Sequence, residues 1–529
     1  MYCSSDVKII NVTQSRNTAS HGIEELAMRS SNRSILVVIC WALATVVSAV
    51  SALNVAIPSI AHGIDASQTE LSWIIDAYAL TFAVFLLPFG ALGDRVGRRK
   101  VLMIGLAMFS LTSLAAMMTS SPQMLIAFRG LLGVSAALVM PATLATITTI
   151  FPEKERVKGV AIWTGLAGAS AVLGLLAAGL MLEVWSWKSV FGLNVSMATI
   201  AFIGTARVVP ESRCHKDQVG VDLLGTILSI AAIASVVFAL IEAPQKGWGS
   251  ITTGGCLCIG CVLLILFVWC ETVVKSPLLN PRLFGHPAFT AGALSILVQF
   301  MAFFGLAFIF LQYLQLIRGY SPFEAACGMF PLAFGLMPGA RISPKIVAKM
   351  GRPRVCGIGL LLLPGGLLMM RAVNLTTPYW FIGVALWVVG VGMGLALTPA
   401  TSSIADALPV EQQGIASAIN DLARELGCAL GIATLGSILN SEYRSSIVDA
   451  GLSDQVSAKA QESVTLALRL GPSVASVARS AFVKGLHSAF LMAACSVSVC
   501  ALLVVALLVQ ASHAERHNDG NIHGGATAG

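Results

Sequence analysis

A chain of 529 residues in which 56% are hydrophobic and only 11% charged is not an ordinary water-soluble protein, whose charged share runs near 25%, and a sizeable catalytic domain in water is excluded with it. The net charge of +7 does not point to nucleic acid, because the basic residues form no single patch and fall in short clusters between apolar runs. The cysteines are mostly isolated inside those runs, where a thiol behaves as a small hydrophobe; Cys256, Cys258 and Cys261 splay around a helix with no histidine close by and read as packing, not a metal site.

The first 34 residues are polar, with no apolar core before Ile35, so no cleavable signal peptide is expected and the first span serves as the insertion signal. Apolar stretches long enough to cross a bilayer follow at 35–57, 71–92, 101–119, 123–146, 157–182, 189–209, 221–241, 251–270, 288–317, 324–346, 354–373, 378–398, 412–438 and 486–510. An even number of spans puts both chain ends on one side. Alternate loops differ sharply in charge: Arg95, Arg98, Arg99, Lys100, Lys154, Arg156, Lys158, Arg207, Arg213, Lys216, Lys275, Arg282, Lys345, Lys349, Arg352 and Arg354 lie on one side, against Lys188, Lys246, Arg318 and Arg371 in the short loops of the other. Cationic segments resist translocation, so the basic side, with both termini, is expected in the cytoplasm. The long segment 440–484 is then external, and its Val, Ala and Leu spacing around 455–482 suits an amphipathic helix against the membrane.

The loop after span two reads Gly90-Ala-Leu-Gly93-Asp94-Arg95-Val-Gly97-Arg98-Arg99-Lys100, and a degraded echo running from Gly339 to Arg352 follows span ten. An offset of eight spans fits a parallel repeat of six helices with two inserted between the halves, a plan that builds a central pathway in many transporters. The fold class is therefore an all-α polytopic membrane protein. Its expected parts are a cytoplasmic tail 1–34, a six-helix bundle 35–209, two inserted helices with linkers 210–275, a second bundle 276–510 carrying the 440–484 loop, and a tail 511–529. In the Gly90 loop the glycines let helix backbones approach. Asp94 can sit at a neighbouring helix N-terminus or pair with Arg98 or Arg99. The loop reads as a conformational latch.

An ionised carboxylate at the centre of a span costs about 2.5–3.5 kcal/mol, so each one calls for a partner, a wet cavity or a proton. Charged residues well inside spans are Asp76, Arg129, Asp421, Arg424 and Glu425. Asp421 and Glu425 are four apart and share a helical face, an arrangement that can take up and release protons and can neutralise a lipophilic cation. The alternative is a local Asp421–Arg424 pair that merely satisfies the helix. Asp76, behind Trp73 near the external end of span two, suits an outer gate or cargo contact, or else a carboxylate wetted by the vestibule. Arg129 stays charged at any relevant pH, so it can tune an acid but cannot carry the proton; otherwise it bonds carbonyls of span one. In span five Gly165, Gly168, Gly174 and Gly179 permit tight helix contact. Tyr78, Phe82, Trp163, Phe303, Phe304 and Tyr313 are candidates to stack on an organic cation. Gln299, Gln312 and Gln315 have little reason to face lipid.

Several segments together resemble the fourteen-helix drug:proton antiporters of the major facilitator superfamily, in particular the quaternary-ammonium and methyl-viologen exporters (QacA-, SmvA- and EmrB-like). They are Asn54-Val-Ala-Ile-Pro58, Leu71 to Leu80, the Gly90 loop, Arg129-Gly130-Leu-Leu-Gly133, Pro281 to Phe284 and Asp421 to Gly427, so that the resemblance extends over most of the chain. The resemblance implies the major facilitator fold, an acidic pair in span thirteen serving cation export, and an arginine at 129 implicated in proton movement. Two positions depart from the pattern. Leu175 replaces a proline after Gly174, and Ala49 replaces an acid in span one, which shifts the burden of proton coupling to Asp76 and span thirteen. The expected function is efflux of lipophilic, cationic or amphipathic drugs across the plasma membrane by alternating access. It needs no cofactor beyond the proton gradient, and its partners are small-molecule cargo, protons and membrane lipid, with the chain monomeric and no nucleic acid involved. Export of an endogenous metabolite such as a lipid, siderophore or self-made antibiotic stays open, as does a transporter-derived sensor without net transport. No nucleophile with its base and no phosphate-cradling loop points to an enzyme.

Overall fold

A computed structural model describes residues 6–66, 68–213, 222–274 and 277–525. Expectations that rest on Lys216 or Lys275, or on the side chains of Asn54, Pro58, Lys154, 6–31 and 513–525, lie outside these described residues. Among the described residues all regular structure is helical, and 14 helices are long and apolar enough to cross a membrane. Span one lies within the helix Asp6–Gly63, and spans two to eight are Gln68–Val96, Arg98–Met118, Pro122–Ile150, Glu153–Val184, Lys188–Val208, Leu223–Lys246 and Ile251–Val273. Span nine, Pro287–Gln312, ends in a π turn Tyr313–Ile317. Spans ten to fourteen are Phe330–Met350, Arg352–Arg371, Tyr379–Asp406, Gln413–Val448 and Pro472–Gly525. With no water in hydrocarbon to satisfy backbone groups, a continuous helix is the form such segments take.

The loops rich in Lys and Arg share one end of the bundle, the basic end. There a single glycine joins span two to span three and span ten to span eleven. Gly97 has φ 121° and Gly351 φ 81°, conformations open to glycine at little cost. The weak sequence echo thus corresponds to the same one-residue turn in both halves.

Apolar side chains gather in two large clusters. One is built from spans one to six around Leu43, Phe109, Leu132 and Phe191. The other centres on spans nine to fourteen, with Phe289, Leu306, Leu336, Leu386 and Phe490. A small third cluster joins Ala83 and Val84 of span two to Ile233 and Val237 of span seven, with Leu422 and Leu426 of span thirteen packed against it. Span eight packs on span seven and leaves Ile259, Val262, Ile265, Val268 and Trp269 exposed, a surface that suits lipid and not water.

The halves meet where side chains are smallest. A Cβ on Gly90 would fall on the Gly414 carbonyl and the Ala418 methyl, so spans two and thirteen touch backbone to backbone at the basic end. Gly165, Gly168 and Gly179 of span five face Ala340, Leu336 and Phe323 of span ten and the short helix before it, whereas Gly174 packs on Ser48 of span one. Span five is a single helix through Leu175.

The 440–484 segment departs from expectation. Span thirteen runs on to Val448, span fourteen begins at Pro472, and the short helices Asp454–Glu462 and Val464–Ala467 lie between them. Their apolar residues pack on the C-terminal cluster instead of facing a membrane: Ala460 and Ala467 are fully buried, Val456 and Val464 lean on the same cluster, and the Tyr443 hydroxyl donates to the Ala460 carbonyl at 3.0 Å. The extended flanking helices offer these side chains a protein surface, which buries them and satisfies a carbonyl at once.

Candidate functional site

Span thirteen carries Asn420, Asp421, Arg424 and Glu425 into the seam between the halves. Gly427 and Gly431 let span nine come down onto its backbone, against the carbonyls of Leu297 and Met301, and this approach sets Phe300 beside Arg424. The Arg424 guanidinium lies 5.0 Å from the Phe300 ring centroid and 4.6 Å from that of Trp163 in span five. Trp163 is fully buried, and its indole Nε1 donates to Thr143 Oγ1 of span four at 3.1 Å, which holds the ring in place. A cation between two aromatic faces is stabilised by their quadrupoles, by about 2 kcal/mol each when water is excluded.

The rest of this cluster is poorly satisfied. Asp421 is 1% exposed. Its Oδ1 accepts from Asn420 Nδ2 at 3.2 Å and stands 3.9 Å from Arg424 Nη1, a loose ion pair. Asp421 Oδ2 and Arg424 Nε and Nη2 are buried with no hydrogen-bond partner among the described residues. Glu425 is half-buried, with Arg424 and the Tyr78 phenol among its electrostatic neighbours. Buried polar groups are ordinarily paired, and leaving a charged one unpaired costs several kcal/mol.

Arg129 of span four sits next to this group. Its Nε donates to the Ile74 carbonyl at 2.8 Å and its guanidinium lies 4.4 Å from the Tyr78 ring. The carbonyl belongs to span two, not span one, because spans two and four are pressed together where Thr81 Oγ1 donates to the Gly130 carbonyl and Gly133 faces the Tyr78 carbonyl. Arg129 Nη1 and the Tyr78 hydroxyl are buried without hydrogen-bond partners among the described residues.

The other candidates disperse. Phe82 stacks near Tyr78, and Phe303 and Phe304 group with Phe300. Gln299 is buried but spends its amide on Ser295 of its own helix. Gln312 borders a cavity of about 180 Å³ with Phe308, Asn440, Tyr443 and Phe482, towards the end opposite the basic loops, and Gln315 is exposed. Tyr313 does not line the seam: it is fully buried, and its hydroxyl donates to the Asn374 carbonyl at 2.8 Å, pinning the loop between spans eleven and twelve. Asp76 stands apart as well, on the face of span two towards span seven, where Glu242 is its acidic neighbour and Trp73 meets Phe238.

At the basic end the Asp94 carboxylate accepts from the N–H groups of Gly414 (2.8 Å) and Ile415 (3.1 Å) in the first turn of span thirteen, and from Arg98 Nη2 at 2.6 Å. An anion at a helix N-terminus meets aligned N–H donors and the positive end of the dipole. Arg98 also donates to the Val410 carbonyl at 3.0 Å. Arg99 turns to the Ala206 carbonyl and its own N–H meets Glu211, whose carboxylate fills the space beside Gly97. Gly93 has open space where a side chain would start.

The arrangement has relatives. The profile of the Major Facilitator Superfamily matches residues 39–432. The chain belongs to the major facilitator superfamily. It is 33% identical over 472 residues to the methyl viologen resistance protein SmvA of Salmonella typhimurium, an overlap covering 87% of this chain and 95% of that one. It is 33% identical over 393 residues to the multidrug resistance protein Stp of Mycobacterium tuberculosis, 73% and 72% of the two chains. The structure of the human organic anion transporter MFSD10 shares the fold, with a TM-score of 0.61 at 13% identity, covering 89% of this chain and 99% of that one. The protein is thus a multi-pass membrane transporter of the superfamily and not an enzyme.

Within this facilitator several residues at or near the site carried little sequence signal. Phe300 completes the enclosure of Arg424, and its spacing of three and four from Phe303 and Phe304 was the available hint. Thr143 and Asn420, which orient Trp163 and Asp421, are ordinary polar residues in apolar helices. Glu242 and Glu271 also lie within the helices of spans seven and eight; Glu271 is buried, takes the Leu279 N–H at 3.1 Å and faces Asp222.

Proposed function

We propose that this facilitator exports lipophilic, cationic or amphipathic compounds across the plasma membrane in exchange for protons, as a monomer with both termini in the cytoplasm. The observation that carries this reading is the buried, under-satisfied Asp421–Arg424 pair at the seam of the two halves, with the half-buried Glu425 beside it. Charges are kept in such a place at a cost of several kcal/mol, and two acids able to hold either a proton or a cation make proton and cargo compete for one site. The names of the relatives SmvA and Stp point the same way. The bundles 35–209 and 276–510 act as the two rocking halves, with 210–275 inserted between them. The Asp94 clasp to span thirteen holds the basic end shut in one phase of the cycle, and Asp76 with Glu242 forms a separate acidic point towards the other end.

Proteoliposomes loaded with a pH-sensitive dye test this. Adding a lipophilic cation to wild-type vesicles is expected to move protons. Asp421→Asn and Glu425→Gln should abolish that movement while the protein stays inserted and folded, and full activity in both single variants and the double would sink the site. A second reading, export of a neutral or anionic metabolite, draws on Arg129 and Arg424, the buried arginines near the seam, and on Ala49, which is buried where the family has an acid. Thermal shifts across cationic, neutral and anionic panels separate the two.

A further inference from the structure

The aromatic enclosure in the seam already contains a cation, and that cation belongs to the protein. Trp163 from one half and Phe300 from the other face the Arg424 guanidinium at 4.6 and 5.0 Å. Two aromatic walls on a positive charge form the arrangement that recognises quaternary ammonium ligands. The guanidinium is held there by little else. Its Nε and Nη2 have no acceptor among the described residues, and its nearest carboxylate is 3.9 Å away. A buried arginine kept for architecture alone ordinarily ends in hydrogen bonds to carboxylates or carbonyls, as Arg98 does at the basic end. Within reach of a small rotation lies Asp421, whose Oδ2 is buried with no donor among the described residues.

We infer that Arg424 is a tethered competitor for the cargo's positive charge: it fills the Trp163–Phe300 enclosure when cargo is absent and swings onto Asp421 when a lipophilic cation takes its place. This rests on the proposed export of cations and assigns the specificity-determining contact within it. Cargo is selected for a soft, weakly hydrated cation able to displace a guanidinium from between two rings, and not for charge as such. Compact, strongly hydrated cations such as primary ammonium groups leave water at too high a cost to win that exchange. The swap keeps the net charge of the buried cluster constant apart from the cargo's own, because Arg424 exchanges one stabilising environment for another within the seam.

Calorimetric binding of tetraphenylphosphonium to the detergent-solubilised full chain tests the inference. Arg424→Met, which keeps an unbranched apolar stem and loses the charged head, is expected to bind the probe about tenfold more tightly than wild type. That gain should disappear when Trp163→Leu or Phe300→Leu is added. It should persist when Asp421→Asn/Arg424→Met is compared with Asp421→Asn alone, a background that cancels whatever Asp421 itself contributes to holding the cation. A gain that survives loss of either ring, or vanishes with Asp421→Asn, belongs to bulk electrostatics and overturns the proposal. Failure of both wild type and Arg424→Met to bind overturns it too. Binding by Arg424→Met alone supports the enclosure while counting against cation export by the natural chain. Proton-coupled transport of the probe by wild type with no tighter binding in Arg424→Met leaves the export reading standing and removes this one. Trp163→Leu and Phe300→Leu come from different helices, so a folding failure in one leaves the other to decide.

Discussion

Two Asp–Arg pairs lie on or beside span thirteen, and they differ in how fully their hydrogen-bonding capacity is used. At the basic end Asp94 and Arg98 are saturated: the carboxylate takes two backbone N–H groups and the guanidinium, and the guanidinium reaches on to the Val410 carbonyl. At the seam Asp421 and Arg424 stand 3.9 Å apart, and three of their polar atoms have no partner among the described residues. The residue types are the same and both pairs are buried, yet only the seam pair keeps polar atoms with which to take up a proton or a ligand, which is why the proposed site is placed there and the proposed clasp at the basic end.

The sharpest way to break this contrast is to remove each acid in turn. Asp421→Asn should eliminate proton-coupled transport in vesicles with little change in melting temperature. Asp94→Ala should instead lower stability by about 3–5 kcal/mol, the cost of stranding a buried charge, seen in thermal unfolding of the purified protein. If Asp94→Ala lost coupling with its melting temperature unchanged, the division between clasp and site would be wrong. Gly90→Val is expected to cost about 1–3 kcal/mol, as overpacking does, because its side chain would overlap the Gly414 carbonyl; cysteine accessibility at the basic end should rise in that variant, reporting a seam that no longer closes. The smallest effect belongs to Tyr313→Phe, which loses one hydrogen bond worth about 1 kcal/mol and should leave cargo binding untouched, in keeping with a residue that pins a loop.

Much of the frame was legible in the sequence. Each of the fourteen expected spans overlaps a long apolar helix, because hydropathy over about 20 residues is a property of contiguous chain. The partners of Asp94 were half legible: a helix N-terminus and Arg98 were both expected, but that the terminus belongs to span thirteen depends on how the halves close. The seam was less legible still. Asp421, Arg424 and Glu425 stood out as charges in an apolar run, yet Phe300 did not, since one aromatic among many carries no mark of what it faces. Tyr313 and the 440–484 segment misled for the same reason: an aromatic or apolar spacing says that a surface will be buried, not against what.

Composition and hydropathy by themselves determined that this chain lives in lipid, how many times it can cross, and which few charges must be explained, because the free energy of moving a side chain from water to oil belongs to each residue wherever it sits. Only the folded arrangement decided that Arg424 lies between Trp163 and Phe300 while Asp94 is saturated. Hydrogen bonds and cation–ring contacts act over a few ångströms, and residues hundreds of positions apart come within that range only once helices from both halves have packed.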